Sequence, residues 1–488
     1  MKIDKRLADE APRWGVQFGT SGARGPVERM TDAVCHAYAT AFLRAVAGAP
    51  ARVVIGHDLR PSSPAIAAAC ACAVVDAGAR VVFVGALPTP AIAHHATRIG
   101  APAIVVTGSH IPFDRNGIKF YRTDGEIDKD DEQAMLAQPV PPGPVDPAVL
   151  PPVDPSARHA WLDRYLDFFG PDALDGMRVA VYEHSSVARD LLPEILRALG
   201  AEVLSLGRTD DFVPIDTEAV RPEDVEQARR WAREHRFDAL VSTDGDADRP
   251  LIGDENGRWL RGDVVGILCA RWLGAEVVAT PVSSNTALEK CGLFRQVIRT
   301  RIGSPYVIAA MACAARADHG PAGRPVVGYE ANGGFLLGTD LLRDGRRLSA
   351  LPTRDAVLPI LALLRDSRQR GCRLSELPRD LPPRFTHSDR LQDFPTQRAR
   401  DLLARLSDDP ALAARRMAPG AGAVDAIDHT DGLRMTFESG DIVHLRPSGN
   451  APELRCYAES DDEERATALC DDCLGRIASA PSGPSESR

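Results

Sequence analysis

The sequence predicts an α/β protein in which three related units precede a C-terminal region of different composition. Through the first 370 residues, short apolar runs bounded by glycine alternate with helical segments, a pattern typical of parallel α/β sheets. The third strand of each unit ends in a polar loop that contains glycine, namely TGSH, TDGD and YEANGG. Ligands bind beyond the carboxyl ends of such strands, so three loops at the same topological position indicate one shared site.

Each unit contributes three predicted strands and one predicted helix. The strands are 52–58, 80–85 and 103–110 in the first unit, 178–184, 202–207 and 239–246 in the second, and 276–284, 296–303 and 326–334 in the third. The helices run from Pro64 to Asp76, from about Arg189 to Leu199, and from Tyr306 to Ala317. Gly200 follows the second helix, as is typical of a helix C-terminus. Residues 250–260 are predicted to form a hairpin.

Two proline-rich stretches divide the chain. Residues 139–155 contain eight prolines in seventeen positions and predict a stiff connector. Residues 365–384, rich in proline and arginine, precede the C-terminal region. We therefore predict domains at 1–155, 156–260, 261–370 and 371–488. The last ten residues, SAPSGPSESR, are predicted to be disordered.

Composition excludes several classes of protein. The 488 residues carry 58 basic and 68 acidic side chains, and a net charge of −10 argues against bulk binding of nucleic acid or anionic membranes. The longest fully apolar run, Ala65 to Val75, is too short to cross a bilayer, and the N-terminus lacks the apolar core of a signal peptide. We expect a cytoplasmic protein with no nucleic-acid or membrane partner and with reduced cysteine thiols.

The first candidate for chemistry is an acidic loop. Asp244, Asp246 and Asp248 alternate along STDGDADRP, directly after a predicted strand. In an extended loop alternate side chains point the same way, so the carboxylates would converge and would need a cation such as Mg²⁺. An EF-hand is disfavoured because its sixth position holds Arg249 instead of glycine, while a solvated acidic turn stays open as an alternative.

The second candidate is the loop TGSHIPFDRNGIKFY at 107–121. Ser109 lies on a glycine-containing turn beside His110, and Lys119 follows ten residues later. A hydroxyl, an imidazole and an amine in one loop fit covalent catalysis with proton transfer. Lysine acts as a base only where burial or nearby cations lower its pKa, whereas arginine cannot. A structural serine turn with an incidental histidine is the alternative.

A third loop suits an anion. In RPSGNAPELRCY, hydrogen-bond donors of five residues gather around a glycine turn: Arg446, Ser448, Gly449, Asn450 and Arg455. Forked guanidinium groups and backbone N–H groups suit a phosphate dianion. An ordinary hairpin with exposed arginines is the alternative.

Three other segments carry weaker signals. In GYEANGGF, Glu330 and Asn332 have the groups to bind vicinal sugar hydroxyls. The segment FGTSGARG, which contains Arg24, is not a standard P-loop because no Lys-Ser/Thr follows its glycines. The arginine-rich segment QARRWAREHR is favoured as a solvated helix face over a nucleic-acid site.

In this order, FGTSGARG, TGSHIPFDRNGIK, DGDADR, YEANGG and RPSGNAPELRCY resemble the α-D-phosphohexomutase superfamily, most closely its bacterial phosphomannomutase-type members. The resemblance runs from about residue 17 to 460. It implies a four-domain, heart-shaped architecture, in which three α/β domains with mixed sheets precede a C-terminal α+β domain.

The resemblance also implies an isomerase that interconverts hexose 6-phosphate and hexose 1-phosphate, with mannose phosphate as the first expectation. The reaction would pass through a phosphoserine enzyme and a hexose 1,6-bisphosphate, which would also serve as activator. Glucose or glucosamine phosphate is the nearest alternative substrate. A Mg²⁺-dependent sugar phosphatase and a non-catalytic sugar-phosphate sensor are more distant alternatives. We expect a monomer or a homodimer.

By the same resemblance, Ser109 would carry the phosphoryl group and hold Mg²⁺ together with Asp244, Asp246 and Asp248. Lys119 would transfer a proton, and His110 and Arg249 would complete the catalytic set. The implied substrate-binding residues are Arg24, Arg301, Glu330, Asn332, Arg446, Ser448, Gly449, Asn450 and Arg455.

The sequence departs from the superfamily pattern at three places. Ile111 replaces the asparagine common after Ser-His, EANGG replaces Glu-x-Ser-Gly, and Asn450–Ala451 replace Thr-Glu. None of these changes removes the nucleophile or a metal ligand. The second and third bear on which sugar phosphate is recognised.

Overall fold

A computed structural model describes residues 5–19, 22–141, 143, 145–146, 148–317, 324–448 and 452–479. Some residues of the segments named above lie outside this part of the chain. They are Thr20 and Ser21 of FGTSGARG, Gly449, Asn450 and Ala451, Pro142, Pro144 and Pro147 of the proline-rich connector, and all but Ser479 of the last ten residues. The chain forms two compact units, Met1–Ala279 with Gly303–Pro378, and Thr280–Ile302 with Arg379–Arg488.

The first sheet of the first unit is mixed. Strand Arg52–His57 lies between Arg80–Ala86 and Ala103–Val106 and runs parallel to both, which confirms the three predicted strands. Strand Arg115–Arg122 runs antiparallel to Ala103–Val106. The remaining elements are helices Leu7–Trp14, Asp32–Ala45, Ser63–Asp76, Thr89–Arg98 and Lys129–Leu136, the 3₁₀ turn Val27–Arg29, and strands Gln17–Phe18, Ala23–Pro26 and Gly125–Glu126.

The strand Arg115–Arg122 corrects the expectation that residues 107–121 form one loop. Its first residues, Arg-Asn-Gly, are polar and read as a turn, yet they pair with strand Ala23–Pro26. Further along, Ile118 and Phe120 enter the apolar core. Because side chains alternate across a strand, Lys119 points to the opposite face. The serine loop therefore ends before Arg115, and Lys119 is held in a strand of the sheet instead of in a loop.

The second sheet has four strands. Strand Arg178–Tyr182 runs parallel to both Glu202–Leu206 and Ala239–Thr243, as predicted, and Pro250–Gly253 is added antiparallel at the edge. The predicted hairpin is confirmed, since Leu260 N–H donates to the Ile252 carbonyl at 2.8 Å. The helices are Ser156–Phe169, Leu191–Ala198 and Pro222–Glu234. The last is the arginine-rich segment, whose Arg230 and Arg233 are exposed and form ion pairs within the helix.

The third sheet of the first unit is also mixed. Strand Val277–Pro281 runs parallel to Val326–Tyr329, and Phe335–Leu337 and Leu351–Asp355 follow antiparallel. The helices are Gly262–Leu273, Ser304–Ala317 and Val357–Arg370, with a separate hairpin of Leu341–Arg343 and Arg346–Leu348. The α/β fold class with mixed sheets is thus confirmed. The antiparallel strands Arg115–Arg122, Phe335–Leu337 and Leu351–Asp355 are what the apolar runs alone did not predict.

The second unit contains a five-stranded antiparallel sheet. Its order is Phe385–Leu391, Leu454–Ser460, Ile442–Pro447, Leu433–Phe437 and Val424–Asp428. The helices are Ala287–Lys290, Thr396–Asp408, Pro410–Met417 and Glu463–Ala478; strand Gln296–Thr300 and part of the 3₁₀ helix Leu374–Asp380 also belong to this unit. The strands and the helices are separate in sequence and pack around one core, as predicted for an α+β domain. Among the described residues, no helix is long and apolar enough to cross a membrane.

Candidate active site

The serine loop begins at the carboxyl end of strand Ala103–Val106 and is held by Asp58. The Asp58 carboxylate accepts hydrogen bonds from the Thr107 hydroxyl at 2.8 Å and from the Gly108 N–H at 3.2 Å. The Thr107 hydroxyl oxygen in turn accepts the Ser109 N–H at 2.8 Å. Because Asp58 is buried, these bonds form in a medium of low polarity, where a charge-assisted bond is strong.

Arg60 holds the same loop from the other side. Its guanidinium donates to the carbonyl oxygens of Ser109 at 2.9 Å, Ile111 at 2.5 Å, and Pro112 at 2.7 Å. The same group lies 4.0 Å from the centre of the Phe212 ring. A Cβ atom at position 108 would come within 2.5 Å of the guanidinium, so only glycine fits there. Four backbone groups of the loop are therefore fixed by Asp58 and Arg60, and neither belongs to the motifs found in the sequence.

Ser109 has an uncommon backbone conformation for a residue with a side chain. Its φ of 53° lies in the left-handed region, which costs about 1–2 kcal/mol for such a residue. The buried Ser109 hydroxyl donates to Asp244 Oδ2 at 2.6 Å and lies 3.3 Å from His110 Nδ1. Bonds to the loop offset the strain and aim the hydroxyl at the acidic loop. The predicted approach of Ser109 to the aspartates is thus present in the structure.

The three aspartates converge through a tight turn. Within the turn, the Ala247 N–H donates to the Asp244 carbonyl, and Ala247 itself has a φ of 57°. Oxygen atoms of Asp244, Asp246 and Asp248 lie within 4.8 Å of one another, and all three side chains are buried. The sequence argument expected convergence from an extended loop; the carboxylates do meet, but the left-handed residue brings them together.

Lys119 and Arg354 are two of the cations that face the acidic turn. Lys119 Nζ lies 2.7 Å from Oδ2 of both Asp246 and Asp248. Arg354 donates to Asp248 Oδ2 through Nη2 at 2.8 Å and to Glu330 Oε2 through Nη1 at 3.0 Å. Both cations are buried. Arg354 was not found from the sequence, because LPTRD matches no motif and only the third sheet carries it to the aspartates.

Charge around the turn shifts the pKa values of its members. Burial, and then the charges of Asp246 and Asp248, raise the pKa of Asp244 well above its ordinary value. Burial also favours the neutral form of Asp248, but Arg354 and Lys119 outweigh it and hold the Asp248 pKa below its usual range. For Lys119, burial by itself lowers the pKa, and the two carboxylates more than reverse that effect. The pKa of Lys119 is therefore raised, opposite to the direction that a base at this position needs.

His110 and Arg249 form a pair next to the serine. Arg249 Nη1 donates to His110 Nδ1 at 2.9 Å, and because a guanidinium has no acceptor, the ring proton is on Nε2. Burial, and then the charge of Arg249, lower the pKa of His110 to about 3. Arg249 Nε also lies 3.6 Å from Asp248 Oδ1. The neutral imidazole thus has a fixed orientation beside Ser109.

The acidic turn fits a hard divalent cation. Asp246 Oδ1 and Asp248 Oδ1 are buried and accept no hydrogen bond. These two oxygens, together with the carboxylate of Asp244, form a set of oxygen ligands, which Mg²⁺ prefers. Thr89 stabilises the turn, since its hydroxyl donates to Asp246 Oδ2 at 2.7 Å. Thr89 lies at the start of a helix distant in sequence, and no motif indicated it.

The predicted sugar-reading residues are engaged within the protein. Glu330 follows strand Val326–Tyr329, is buried, and pairs with Arg354. Asn332 Oδ1 accepts the Gly334 N–H at 2.9 Å and so shapes its own loop. Arg24 lies on strand Ala23–Pro26 opposite Gly117. Burial, followed by the charges of Arg249 and Arg354, lowers its pKa to about 10, which places Arg24 in the field of the same cluster.

The second unit presents arginines side by side. Arg446 and Arg455 are directly opposite on neighbouring strands, and Arg390 is opposite Arg455 on the next strand. Like charges directly opposite destabilise a sheet. Asp431 lies 3.1 Å from Arg446, and Glu453 lies 3.4 Å from both Arg455 and Arg390, so two acids partly offset three bases. We call Arg390, Arg446 and Arg455 the arginine row; Arg390 was not found from the sequence.

The other predicted residues of this unit fall near the row or outside the described chain. Ser448 is buried, and its N–H donates to the Glu453 carbonyl at 2.8 Å. Arg301 is exposed, and the next residue, Ile302, donates its N–H to Asp431 at 2.9 Å. Gly449 and Asn450 lie outside the residues that the structure describes.

Family models cover most of the chain in the expected order. Models described as phosphoglucomutase/phosphomannomutase match residues 15–139 as alpha/beta/alpha domain I, 163–257 as domain II, 261–385 as domain III and 402–475 as the C-terminal domain. The chain belongs to the phosphoglucomutase/phosphomannomutase family. The predicted superfamily is therefore confirmed, and with it the isomerase class and the phosphohexomutase type of reaction.

Within the phosphoglucomutase/phosphomannomutase family, two similar relatives are phosphomannomutases. That of Salmonella muenchen is 46% identical over 487 residues, covering 98% of this chain and 99% of the relative. That of Sinorhizobium fredii NGR234 is 44% identical over 466 residues, covering 93% and 97%. Phosphoglucosamine mutases are more distant, such as that of Symbiobacterium thermophilum at 30% identity with 88% of this chain covered and 96% of the relative.

Solved structures share the fold at low sequence identity. A phosphoglucomutase/phosphomannomutase family protein from Burkholderia thailandensis matches with a TM-score of 0.72, 20% identity, and coverage of 95% of this chain and 98% of that one. An N-acetylphosphoglucosamine mutase of Aspergillus fumigatus, solved with GlcNAc-6P and magnesium, matches with a TM-score of 0.58, 14% identity, and coverage of 96% and 98%.

Proposed function

We propose that this protein interconverts mannose 6-phosphate and mannose 1-phosphate by reversible phosphorylation of Ser109. The observation that carries the proposal is the 2.6 Å hydrogen bond from the Ser109 hydroxyl to Asp244, within a buried cluster of three carboxylates and Lys119. Mannose is favoured because phosphomannomutases are 44–46% identical over at least 93% of this chain. Phosphoglucosamine mutases reach about 30%.

Asp244, Asp246 and Asp248 would hold Mg²⁺ together with the oxygens of phosphoserine 109. Bound there, Mg²⁺ supplies positive charge to the transferring phosphoryl group. Two oxygens, on Asp246 and Asp248, accept no hydrogen bond in the structure and are available for it. We propose a hexose 1,6-bisphosphate as the activator that first phosphorylates Ser109.

The residues have distinct roles in the transfer. The bond between phosphorus and Ser109 Oγ breaks as a bond forms to the free sugar hydroxyl, whose proton leaves. We assign proton transfer to Lys119, which lies 2.7 Å from Asp246 and Asp248. Binding of Mg²⁺ by these two carboxylates would offset the negative charge that raises the Lys119 pKa, and so would favour release of its proton. Arg249 and His110 lie beside Ser109 and stabilise negative charge as the phosphoryl group moves.

The resulting hexose 1,6-bisphosphate would then turn and return its other phosphate to Ser109. We assign the phosphate that does not react to Arg446, Ser448 and Arg455, and with them Gly449 and Asn450. Glu330, Asn332, Arg24 and Arg301 are assigned to the sugar and its phosphate. The arginine row supports this assignment, because three adjacent guanidinium groups supply the forked donors that suit a phosphate dianion.

A coupled mutase assay tests the proposal. Purified protein receives mannose, glucose or glucosamine 1-phosphate with Mg²⁺ and a trace of hexose 1,6-bisphosphate, and formation of each 6-phosphate is followed. We expect the highest kcat/KM for mannose 1-phosphate. A higher value for glucose or glucosamine would reassign the substrate.

Two other outcomes would show that the protein is a phosphatase or a sugar-phosphate sensor instead of a mutase. Release of inorganic phosphate from mannose 1-phosphate without mutase activity would make the protein a Mg²⁺-dependent phosphatase. Binding of hexose phosphates by a protein that carries no phosphate on Ser109, as judged by intact-mass analysis after incubation with bisphosphate, would make it a sensor.

A further inference from the structure

A second group of potential metal ligands lies on two helices of the first unit. His36 belongs to helix Asp32–Ala45, and Cys72 and Asp76 belong to helix Ser63–Asp76. The two helices pack directly against each other. Cys72 and Asp76 are four residues apart, so they lie on the same helix face, one turn from each other. Three side chains of different chemistry therefore meet between two rigid elements.

The distances among the three side chains suit a tetrahedral metal. Asp76 Oδ2 lies 2.9 Å from His36 Nε2 and 3.8 Å from Cys72 Sγ, and all three ligand atoms lie within 4.8 Å of one another. Zinc bonds of about 2.0–2.3 Å in a tetrahedron separate the ligand atoms by roughly 3.3–3.6 Å. The two Asp76 distances need shifts of about half an ångström or less to reach that spacing, and the His36–Cys72 pair, within 4.8 Å, needs a shift of no more than about 1.3 Å, which side-chain rotation can supply.

The orientation of His36 supports metal binding through Nε2. On the far side of the ring, His36 Nδ1 lies 3.4 Å from the hydroxyl of Thr40, on the next turn of the same helix. Histidines that bind metals commonly donate the N–H of the second nitrogen to such an oxygen, which fixes the tautomer. His36 is buried and cannot easily rotate away, while 62% of the Asp76 side chain is exposed and leaves a path for an ion.

Space for a fourth ligand is present beside the three. A cavity of about 470 Å³ is lined by His36, Cys72 and Asp76, and Asp146 lines it as well. A structural zinc site needs four ligands, and a site with three protein ligands holds water in the fourth position. The cavity has room for that water.

We propose that His36, Cys72 and Asp76 bind one Zn²⁺ ion. A nitrogen, a sulfur and an oxygen ligand favour zinc, whereas the oxygen-only set of Asp244, Asp246 and Asp248 favours Mg²⁺. The two sites share no residue. On binding, the Cys72 thiol gives its proton to solvent and the thiolate bonds to the metal. The ion links helix Asp32–Ala45 to helix Ser63–Asp76.

Cobalt serves as the spectroscopic probe of this site. Co²⁺ is titrated into the full-length protein in the presence of saturating Mg²⁺, which occupies the oxygen site. We expect a near-ultraviolet absorption band from thiolate-to-cobalt charge transfer, saturating at one equivalent and lost when Zn²⁺ is added. The oxygen-only site cannot give this band, since it has no thiolate.

Two matched variants complete the experiment. Cys72→Ser removes the band, while Cys313→Ser, a change at an exposed cysteine on another helix, keeps it. Zn²⁺ raises the Tm of the wild type and of Cys313→Ser but not of Cys72→Ser, because only a protein that binds the ion gains its stabilisation. All three proteins retain mutase activity with Mg²⁺. Absence of the band in the wild type, or its persistence in Cys72→Ser, overturns the proposal and leaves a His36–Asp76 ion pair with a bystander thiol.

Discussion

The acidic turn of the first unit and the arginine row of the second unit handle charge in opposite ways. Around the turn, Asp248, Lys119 and Arg354 are all at most 5% exposed and are joined by hydrogen bonds of 2.7–3.1 Å. In the row, Arg446 and Arg455 have 19% and 35% of their side chains exposed, and they lie 3.1 Å from Asp431 and 3.4 Å from Glu453.

This difference in burial and hydrogen bonding suits charged side chains to two different functions. Buried charges joined by short hydrogen bonds fix geometry, because any displacement leaves an unpaired charge in a medium of low polarity. Partly exposed charges keep their affinity for an anion and adapt to its position. The first arrangement suits bond making and breaking, and the second suits a phosphate that must be gripped in two orientations.

Removal of the nucleophile should have the largest effect. Ser109→Ala deletes the hydroxyl that lies 2.6 Å from Asp244, so we expect mutase activity to fall below detection and the phosphate adduct to disappear from the intact mass. Ser407→Ala, at a serine on helix Thr396–Asp408, is the control and keeps both. Full activity of Ser109→Ala would rule out the covalent mechanism.

Replacement of the buried Lys119 should have the next largest effect on activity. Lys119→Arg keeps the charge but replaces a group that can transfer a proton by one that cannot, so we expect kcat to fall by about 10²–10⁴-fold with KM nearly unchanged. Steady-state kinetics with mannose 1-phosphate measure both constants. Unchanged turnover would leave Lys119 with a role in charge neutralisation alone.

The contrast between buried and partly exposed arginines can be measured as a difference in stability. Arg354→Met leaves Asp248 and Glu330 buried without their guanidinium partner, and we expect a loss of about 3–5 kcal/mol in the free energy of unfolding. The matched change Arg455→Met should cost no more than about 1 kcal/mol. Urea denaturation measures both, and equal losses would remove the distinction drawn between the two regions.

A smaller effect on activity is expected from a change at Arg60, which holds the serine loop in place. Arg60→Lys retains a cation near Asp58 but loses the fork that reaches three loop carbonyls. We expect kcat to fall by about 10²-fold, since a misplacement near 1 Å has that cost, with KM little changed. Slower phosphorylation of Ser109 by the bisphosphate, at wild-type substrate affinity, distinguishes positioning from a folding defect, which would lower both.

The smallest effect is expected in the arginine row. Arg446→Lys keeps the charge and loses the two-pronged contact, so we expect KM to rise by roughly tenfold and kcat to change little. Arg476→Lys, an exposed change on helix Glu463–Ala478, should leave both constants at wild-type values. A fall in kcat with unchanged KM would instead place Arg446 in the chemical step.

The local pattern of apolar runs and glycines was enough to predict much of the fold. The nine predicted strands appear because apolar runs bounded by glycine encode a buried strand by themselves, as at Arg52–His57. The strand Arg115–Arg122 was missed because its core-facing Ile118 and Phe120 are separated by Lys119 and preceded by polar residues. One of its partner strands, Ala23–Pro26, lies about ninety residues away, and a local pattern does not contain that pairing.

The sequence by itself determined the family and the order of the loops, and it predicted the roles of Ser109 and the three aspartates, because those residues stand in short, characteristic motifs. Only the tertiary structure identified Asp58, Arg60, Thr89 and Arg354, which reach the site from strands and helices far apart in the chain. It also decided the direction of the Lys119 pKa. That direction follows from two carboxylates 2.7 Å away, and such a distance exists only once the sheets are packed.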